Sequence, residues 1–393
     1  MKDSGNLSWS DRSIMKILVT GANGFIGKNL VKKLQNSGYT DIFEYTRKNT
    51  EEELQSFCDR AEFVFHLAGI NRPEDPDEFF EGNRDLTRRI TEYLEKAGNK
   101  CPMILSSSTQ ADQTDPGNIY AASKRGAEEA VYEYGQRTRA SVVIYRMPNV
   151  FGKWSRPDYN SAVATFCHNI ARKLPITVKD PGHTMHLVYI DDVVSEFVED
   201  MEIITGGGTV YGSGEAHTAL RCPVYDVKLG YIAEIIESFP LMRESLEVPR
   251  LTDPFVSKLY STYLSFLPED GFAYKLDMKK DERGSFTEFI RTPDRGQMSV
   301  NISRPGITKG QHWHDSKNEK FLVVSGKGLI RFRRIGEERI TDYHVSGDDL
   351  TVVDIPTGYT HCIINEGETD MVTLMWASEP FDPERPDTYR EEV

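Results

Sequence analysis

A short apolar run, Ile17-Leu18-Val19-Thr20, leads straight into Gly21-Ala22-Asn23-Gly24-Phe25-Ile26-Gly27 and then Lys28-Asn29-Leu30-Val31-Lys32-Lys33-Leu34. The uncharged run suits a strand buried on both faces of a parallel sheet. Leu30, Val31 and Leu34 recur at helical spacing. Strand, glycine turn and helix in that order leave few folds open. The glycines permit a tight turn and close backbone approach, and the helix N-terminus turns its free amides toward an anion. A dinucleotide pyrophosphate fits this unit, with Gly21, Asn23, Gly24, Phe25, Ile26 and Gly27 as its contacts.

The same alternation continues. Asp41–Thr46, Glu62–Gly69, Met103–Ser108 and Ser141–Arg146 read as strands, each followed or preceded by a helical segment. That pattern implies a parallel sheet covered by helices. Near Tyr274 the texture changes to short strands separated by turns such as Asp294-Arg295-Gly296, Arg304-Pro305-Gly306 and Gly326-Lys327-Gly328. This second part reads as all-β, a closed or jelly-roll barrel. The expected division of the 393 residues is a disordered extension over 1–14, a nucleotide-binding domain over 15–255, a linker over 256–272 and a β domain over 273–393.

Composition excludes several classes. A net charge of −14 argues against a nucleic-acid surface, and no apolar run approaches membrane-spanning length. Residues 1–14 lack the apolar stretch of a signal peptide. Five scattered cysteines without a CxxC pair read as reduced thiols, which points to the cytoplasm.

Chemistry gathers at two places. The strand ending Ser106-Ser107-Ser108 precedes Tyr120-Ala121-Ala122-Ser123-Lys124. Tyr and Lys at i and i+4 share a helix face. An ammonium beside a phenol lowers its pKa, so Tyr120 can exchange a proton with a carbonyl oxygen that a serine hydroxyl holds. Arg47 stands twenty residues past Gly27, where an arginine accommodates a 2′-phosphate, so NADPH is the expected cofactor. These residues, with His66-Leu67-Ala68-Gly69 and Pro148-Asn149-Val150-Phe151-Gly152, resemble the extended short-chain dehydrogenase/reductase family over about residues 15 to 255. The resemblance implies a Rossmann-type doubly wound parallel sheet. It implies Ser108 as the active serine, with Ser107 the alternative, and Asn149 as a contact to a nucleotide sugar. Leu67, Ala68 and Gly69 would line the cofactor. The gap from Ser108 to Tyr120 is shorter than usual for the family.

The second place is Gly306 to Gly326, where His312, His314 and Glu319 fall together, with His361 following Pro356-Thr357-Gly358. Residues i and i+2 of a strand share a face, so His312 and His314 project together, and His361 closes the set. Three imidazoles and a carboxylate suit Zn²⁺ or another divalent first-row metal. Cys362 turns to the opposite face. The spacing resembles the paired motifs of the cupin superfamily, apart from a longer gap between Gly347 and Pro356. Asp281–Glu288 resembles a run in cupin deoxysugar 3,5-epimerases. That resemblance implies Arg283, with Glu288 as a second contact, on a nucleotide diphosphate. It also implies a histidine base at His312, and a different, unidentified base if His312 binds metal.

The whole chain resembles bifunctional enzymes that make UDP-N-acetyl-L-fucosamine precursors for bacterial capsule and O-antigen. This implies a UDP-linked 4-keto-6-deoxy amino sugar as substrate, C3 epimerisation in the cupin, NADPH reduction of the C4 ketone in the first domain, and a homodimer. Two rival readings are a reductase whose cupin only binds or oligomerises, and a non-catalytic dinucleotide sensor.

Overall fold

The computed structural model describes residues 9–210, 220–292 and 294–393. The described chain forms two compact units. The first runs to Glu234 and takes in Ser261–Phe266; the second is Ile235–Tyr260 with Leu267–Val393.

In the first unit, helix α1 (Trp9–Ile14) occupies part of the stretch expected to be disordered. Its Arg12 guanidinium pairs with Glu202 at 3.0 Å and donates to Ser37 O at 3.2 Å, which ties the helix down and corrects that expectation for residues 9–14. Residues 1–8 of the expected extension lie outside the described residues. There follow β1 (Ile17–Thr20), α2 (Phe25–Asn36), β2 (Ile42–Tyr45), α3 (Glu51–Arg60), β3 (Phe63–His66), α4 (Leu86–Lys96), β4 (Met103–Ser108), α5 (Ile119–Thr138) and β5 (Val142–Met147). The five strands pair in parallel in the order β2-β1-β3-β4-β5.

Burial dictates this sheet. All four residues of β1 and all four of β3 are buried. Ile17 and Val19 pack with Leu30 and Leu34 of α2, while Leu18 turns to the other face with Leu54, Ile90 and Leu94. Each such side chain contributes roughly 1.5–3 kcal/mol when removed from water. Local signals set the helix starts. Thr50 caps α3 reciprocally: its hydroxyl accepts from Glu53 N at 3.3 Å, and Glu53 accepts from Thr50 N at 2.8 Å. Asn118 caps α5 by accepting from Ala121 N at 2.9 Å. A smaller sheet joins β6 (Asn149–Phe151), β7 (Thr184–Tyr189) and β8 (Val224–Lys228), with α6 (Ala162–Ala171) and α7 (Ile190–Thr205) between its strands.

Helices α8 (Leu229–Ser245) and α9 (Pro254–Leu264) follow. Residues 256–272, expected as a linker, therefore hold most of α9 and a single 3-10 turn at Glu269–Gly271.

From Leu267 onward the second unit is all-β apart from that 3-10 turn. Its strands are β9 (Lys279–Asp281), β10 (Gly284–Thr292), β11 (Gly296–Ser303), β12 (Thr308–Trp313), β13 (Glu319–Ser325), β14 (Lys327–Arg334), β15 (Ile340–Ser346), β16 (Val352–Ile355), β17 (Tyr359–Asn365), β18 (Met371–Ala377) and β19 (Tyr389–Arg390). They form two antiparallel sheets, ordered β16-β13-β18-β11-β10-β9 and β15-β14-β17-β12-β19. Phe321, Val323, Val353, Ile355 and Met371 of the first meet Ile330, Phe332, Val345 and Ile363 of the second in one core. A doubly wound parallel sheet followed by an all-β C-terminal part is the architecture expected from the sequence. No helix among the described residues is long and apolar enough to cross a membrane.

Candidate functional site

The strand order of the first unit reverses beside β1, so its carboxyl end opens a crevice there. The glycine turn fills that place. Gly21 has φ +68°, and a Cβ on it would lie 2.8 Å from the backbone of Ala68. A Cβ on Gly27 would lie 2.2 Å from Gly21 O. The turn thus requires glycine at both positions and leaves the start of α2 open to an anion. Asn23 and Gly24 are exposed there, and Phe25 and Ile26 pack partly against the core. Gly21 N and Ala22 N donate to Tyr45 O at 2.9 and 3.3 Å. This brings the end of β2 beside the turn, with Arg47 exposed two residues further on.

A chain of hydrogen bonds braces the floor. Leu67 N and Ala68 N donate to Thr20 Oγ1 at 3.2 and 3.1 Å, and Thr20 Oγ1 lies 2.6 Å from His66 Nδ1. His66 Nε2 lies 2.8 Å from Thr87 Oγ1, which donates to Asn83 O at 2.6 Å. A carbonyl only accepts, so Thr87 must take its bond from a protonated Nε2, and Nδ1 accepts from Thr20. Burial, then the Lys124 charge, hold the His66 imidazole down at about 3, so it stays neutral in this role. Asn83 in turn holds Ile70 on both sides, accepting from its N–H and donating to its carbonyl at 2.9 Å each, and donates to Ser123 Oγ at 2.9 Å. No local pattern points to Asn83 or Thr87, because they meet Ile70, Ser123 and His66 from other parts of the chain.

Above this floor stand Tyr120 and Lys124 on α5. Lys124 is buried, its Nζ donates to Ser106 O at 3.1 Å, and a Cβ on Gly69 would come within 3.2 Å of it. Burial pulls the Lys124 ammonium down to about 8, against the opposing pull of Glu128. Burial raises the Tyr120 phenol, and a hydrogen bond with Ser108 works the other way. The two candidate serines separate: Ser108 is half-buried at the end of β4, where its hydroxyl accepts from Gln110 N at 3.2 Å, whereas Ser107 is buried and bonded to Glu128. Arg146 forks onto the same Glu128, at 3.0 Å from Nε and 2.6 Å from Nη2. Asn149 opens β6 as an exposed residue.

In the second unit, ligand atoms of His312, His314, Glu319 and His361 all lie within 4.8 Å of one another. His312 and His361 stand opposite in register, with ring centroids 4.6 Å apart. Gln311 has φ +62° and marks a bulge between them and the rest of β12, and His314 sits just past the strand end. Phe321 and Phe332 pack around His361. Glu319 Oε2 lies 3.3 Å from His314 Nε2 and 3.4 Å from His361 Nε2. Burial pushes the Glu319 carboxyl up, but the two imidazoles outweigh it and hold it well below the carboxylate range. Burial and the neighbouring histidines lower His312 to about 4.

These residues fit a divalent metal. Both ring nitrogens of His361 are buried without a hydrogen-bond partner. A buried polar atom left this way is costly unless a cation or water meets it. Carboxylate oxygen facing imidazole lone pairs is likewise reconciled by a cation. Cys362 pairs with Arg331 across the sheet, on the face away from His361.

Of the two residues expected to hold a diphosphate, Glu288 shares the inner face of its sheet with Phe321 and Glu319, through the row Glu288, Ser299, Met375, Phe321. Its side chain is bonded to Arg291. Arg283 does not join the cluster. It precedes Gly284, whereas the Glu319 row meets β10 at Arg291, roughly 23 Å further along the strand. Its guanidinium is exposed and paired with Asp281 at 2.5 Å. Within this chain, Arg283 therefore stands apart from the cluster in register.

Comparison with known proteins agrees with this two-part build. Residues 17–202 match the NAD dependent epimerase/dehydratase family, and residues 279–389 match the Polysaccharide biosynthesis C-terminal domain. The chain is 43% identical to a UDP-2-acetamido-2,6-beta-L-arabino-hexul-4-ose reductase of Pseudomonas aeruginosa, over 95% of this chain and 98% of that one. It also resembles the crystal structure of the capsular polysaccharide assembling protein CapF of Staphylococcus aureus, with a TM-score of 0.88 and 49% identity, covering 96% of this chain and 100% of that one. CapF with the inhibitor 3-isopropenyl-tropolone gives a TM-score of 0.84 at 46% identity and the same coverage. By this similarity along nearly its full length, the chain belongs to the family of the UDP-2-acetamido-2,6-beta-L-arabino-hexul-4-ose reductases.

Proposed function

We propose that this chain reduces the C4 ketone of a UDP-2-acetamido-2,6-dideoxy-4-hexulose with NADPH, after its second unit has inverted C3 of the same sugar. The product is a UDP-2-acetamido-2,6-dideoxy-L-talose, a step toward UDP-N-acetyl-L-fucosamine for capsule or O-antigen. A cytoplasmic location and a homodimer belong to the same proposal. The observation that carries it is the buried Lys124, one helical turn from Tyr120 on α5, with its Nζ donating to Ser106 O at 3.1 Å at the strand ends next to the glycine turn.

When bound, NADPH supplies the hydride for C4 and a divalent metal supplies a Lewis acid. The chain's own residues do the rest. Gly21 and Gly27 let the nucleotide approach the start of α2. Ser108 orients the ketone oxygen, and the Tyr120 hydroxyl delivers the proton that turns it into an alcohol. Lys124, charged below about pH 8, favours the phenolate left behind. The 2′-phosphate falls to Arg47 and the nucleotide sugar to Asn149. In the second unit His312, His314, Glu319 and His361 would hold the metal. The C3 proton is acidic only while C4 is a ketone, so inversion precedes reduction. Reduction then makes the inversion effectively irreversible, which gives a reason to join the two units.

The test is NADPH oxidation with the 4-keto sugar nucleotide in wild type and Tyr120→Phe. The variant should lose about 10²–10⁴-fold in kcat while binding NADPH normally, since proton transfer is its missing step. Near-normal turnover would remove Tyr120 from the chemistry.

A further inference from the structure

We infer that the C-terminal segment beyond Pro386 is a strap that sets the metal ligands, with Asp387 as its positioning residue. This rests on the metal-centre reading above. His314 Nδ1 lies 2.5 Å from the backbone oxygen of Asp387. A carbonyl only accepts, so Nδ1 carries the hydrogen and Nε2 is left with its lone pair toward Glu319 and the other histidines. One backbone atom of Asp387 thereby fixes both the tautomer and the ring orientation of a ligand, as partners behind metal-bound imidazoles do.

The carboxylate of Asp387 fixes the loop on which that ligand sits. Asp315 N donates to Oδ1 at 2.8 Å. Ser316 N, Ser316 Oγ and Lys317 N donate to Oδ2 at 3.0, 3.0 and 2.8 Å. These are three of the four residues between His314 and Glu319, so a single side chain sets the spacing between two ligands. Asp387 itself has φ +39°, in the left-handed region. Such a conformation persists only where surrounding contacts over-determine it.

The strap reaches the remaining ligands through their neighbours. Arg390 of β19 pairs with His312 in register. Glu391 N donates to the carbonyl of Gln311, the bulge residue before His312, at 3.1 Å. The Glu391 carbonyl accepts from the hydroxyl of Thr360, which precedes His361. Each ligand strand or loop is therefore gripped at a residue beside the ligand. A tail that only covered apolar surface would not need to place a carbonyl against a ligand nitrogen.

The experiment measures Zn²⁺ affinity of the full-length protein by competition with a chromogenic chelator, without substrate or cofactor. Wild type, Asp387→Ala and Asp387→Asn are compared, each shown to be folded by circular dichroism at the assay temperature. Losing this support should weaken Zn²⁺ binding by about 10–100-fold in Asp387→Ala. Asp387→Asn keeps one acceptor oxygen and should recover part of the loss. With Co²⁺ in place of Zn²⁺, the visible absorption bands should shift in Asp387→Ala, which a change in stability alone would not cause. If Asp387→Ala does not fold, Asp387→Asn decides: binding weakened severalfold supports the strap, and wild-type affinity overturns it. Wild-type affinity in Asp387→Ala overturns the strap and leaves the metal centre standing. A wild type that binds no Zn²⁺ overturns both, and the failure is then already visible before any variant is made.

Discussion

Replacing Lys124 with methionine should stabilise the first unit at neutral pH while removing its reductase activity. Burial lowers the Lys124 ammonium from 10.5 to about 8. The unfolded chain holds that proton up to the higher value and the folded chain gives it up at the lower one. The penalty for burying the charge is therefore present in full below about pH 8 and is relieved as pH rises toward 10.5. At about 1.4 kcal/mol per pH unit the penalty is roughly 3 kcal/mol. Methionine escapes it and fills the same channel with apolar atoms. The variant also loses the bond from Nζ to Ser106 O, worth about 1.5 kcal/mol for a charged donor. The net gain at pH 7 is then roughly 1.5 kcal/mol. Urea unfolding followed by far-UV circular dichroism, at about pH 7 and about pH 10, reads the effect. The variant should lead at the lower pH, and wild type should draw level or pass it at the higher one. Activity should fall about 10²–10⁴-fold at either pH. A variant that is less stable than wild type by the same margin at both pH values would refute the reasoning, because the ammonium would then carry no burial penalty.

Two substitutions probe the nucleotide site. Gly27→Ala places a Cβ 2.2 Å from Gly21 O, so the turn must open. It should cost roughly 1–3 kcal/mol and weaken NADPH binding at least about tenfold in calorimetry; unchanged binding would mean that the cofactor lies elsewhere. Arg47→Ala should cut the ratio of kcat/KM for NADPH over NADH by about 10–100-fold, the worth of a charge-assisted phosphate contact. An unchanged ratio would assign the 2′-phosphate to another group.

Both the parallel sheet and the gathering of His312, His314, Glu319 and His361 were legible in the sequence, because their signals are local. A buried strand, a glycine turn and a helix occupy Ile17 to Leu34 without interruption, and three of the four clustered residues lie within eight residues. What stayed hidden depends on pairing over long separations. The order of hydrogen bonds from Thr20 through His66 and Thr87 to Asn83 links β1, β3 and α4 with the turn before α4. Ser107 and Ser108 are adjacent and chemically identical, and only the position of Glu128 and Arg146 on other elements separates their roles. Asp387 meets His314 across 73 residues. Arg283 shows the reverse case: its local pattern resembles a family motif, but its place before β10, away from the row of Glu319, is set by register across three strands. Helix α1 went unread because its anchor is a single arginine that finds Glu202 and Ser37 only in the folded unit.

The central claim is that two separate sites act in turn on one sugar. Incubation of the protein with the UDP-linked 4-keto sugar in D₂O, without NADPH, and inspection of the sugar by NMR tests it most directly. Deuterium should enter at C3 in wild type and in Tyr120→Phe, because that exchange needs only the second unit. It should vanish in His361→Ala, which removes one of the four clustered ligand residues. Exchange at C3 that survives the loss of His361, or that disappears with Tyr120, would contradict the division of labour.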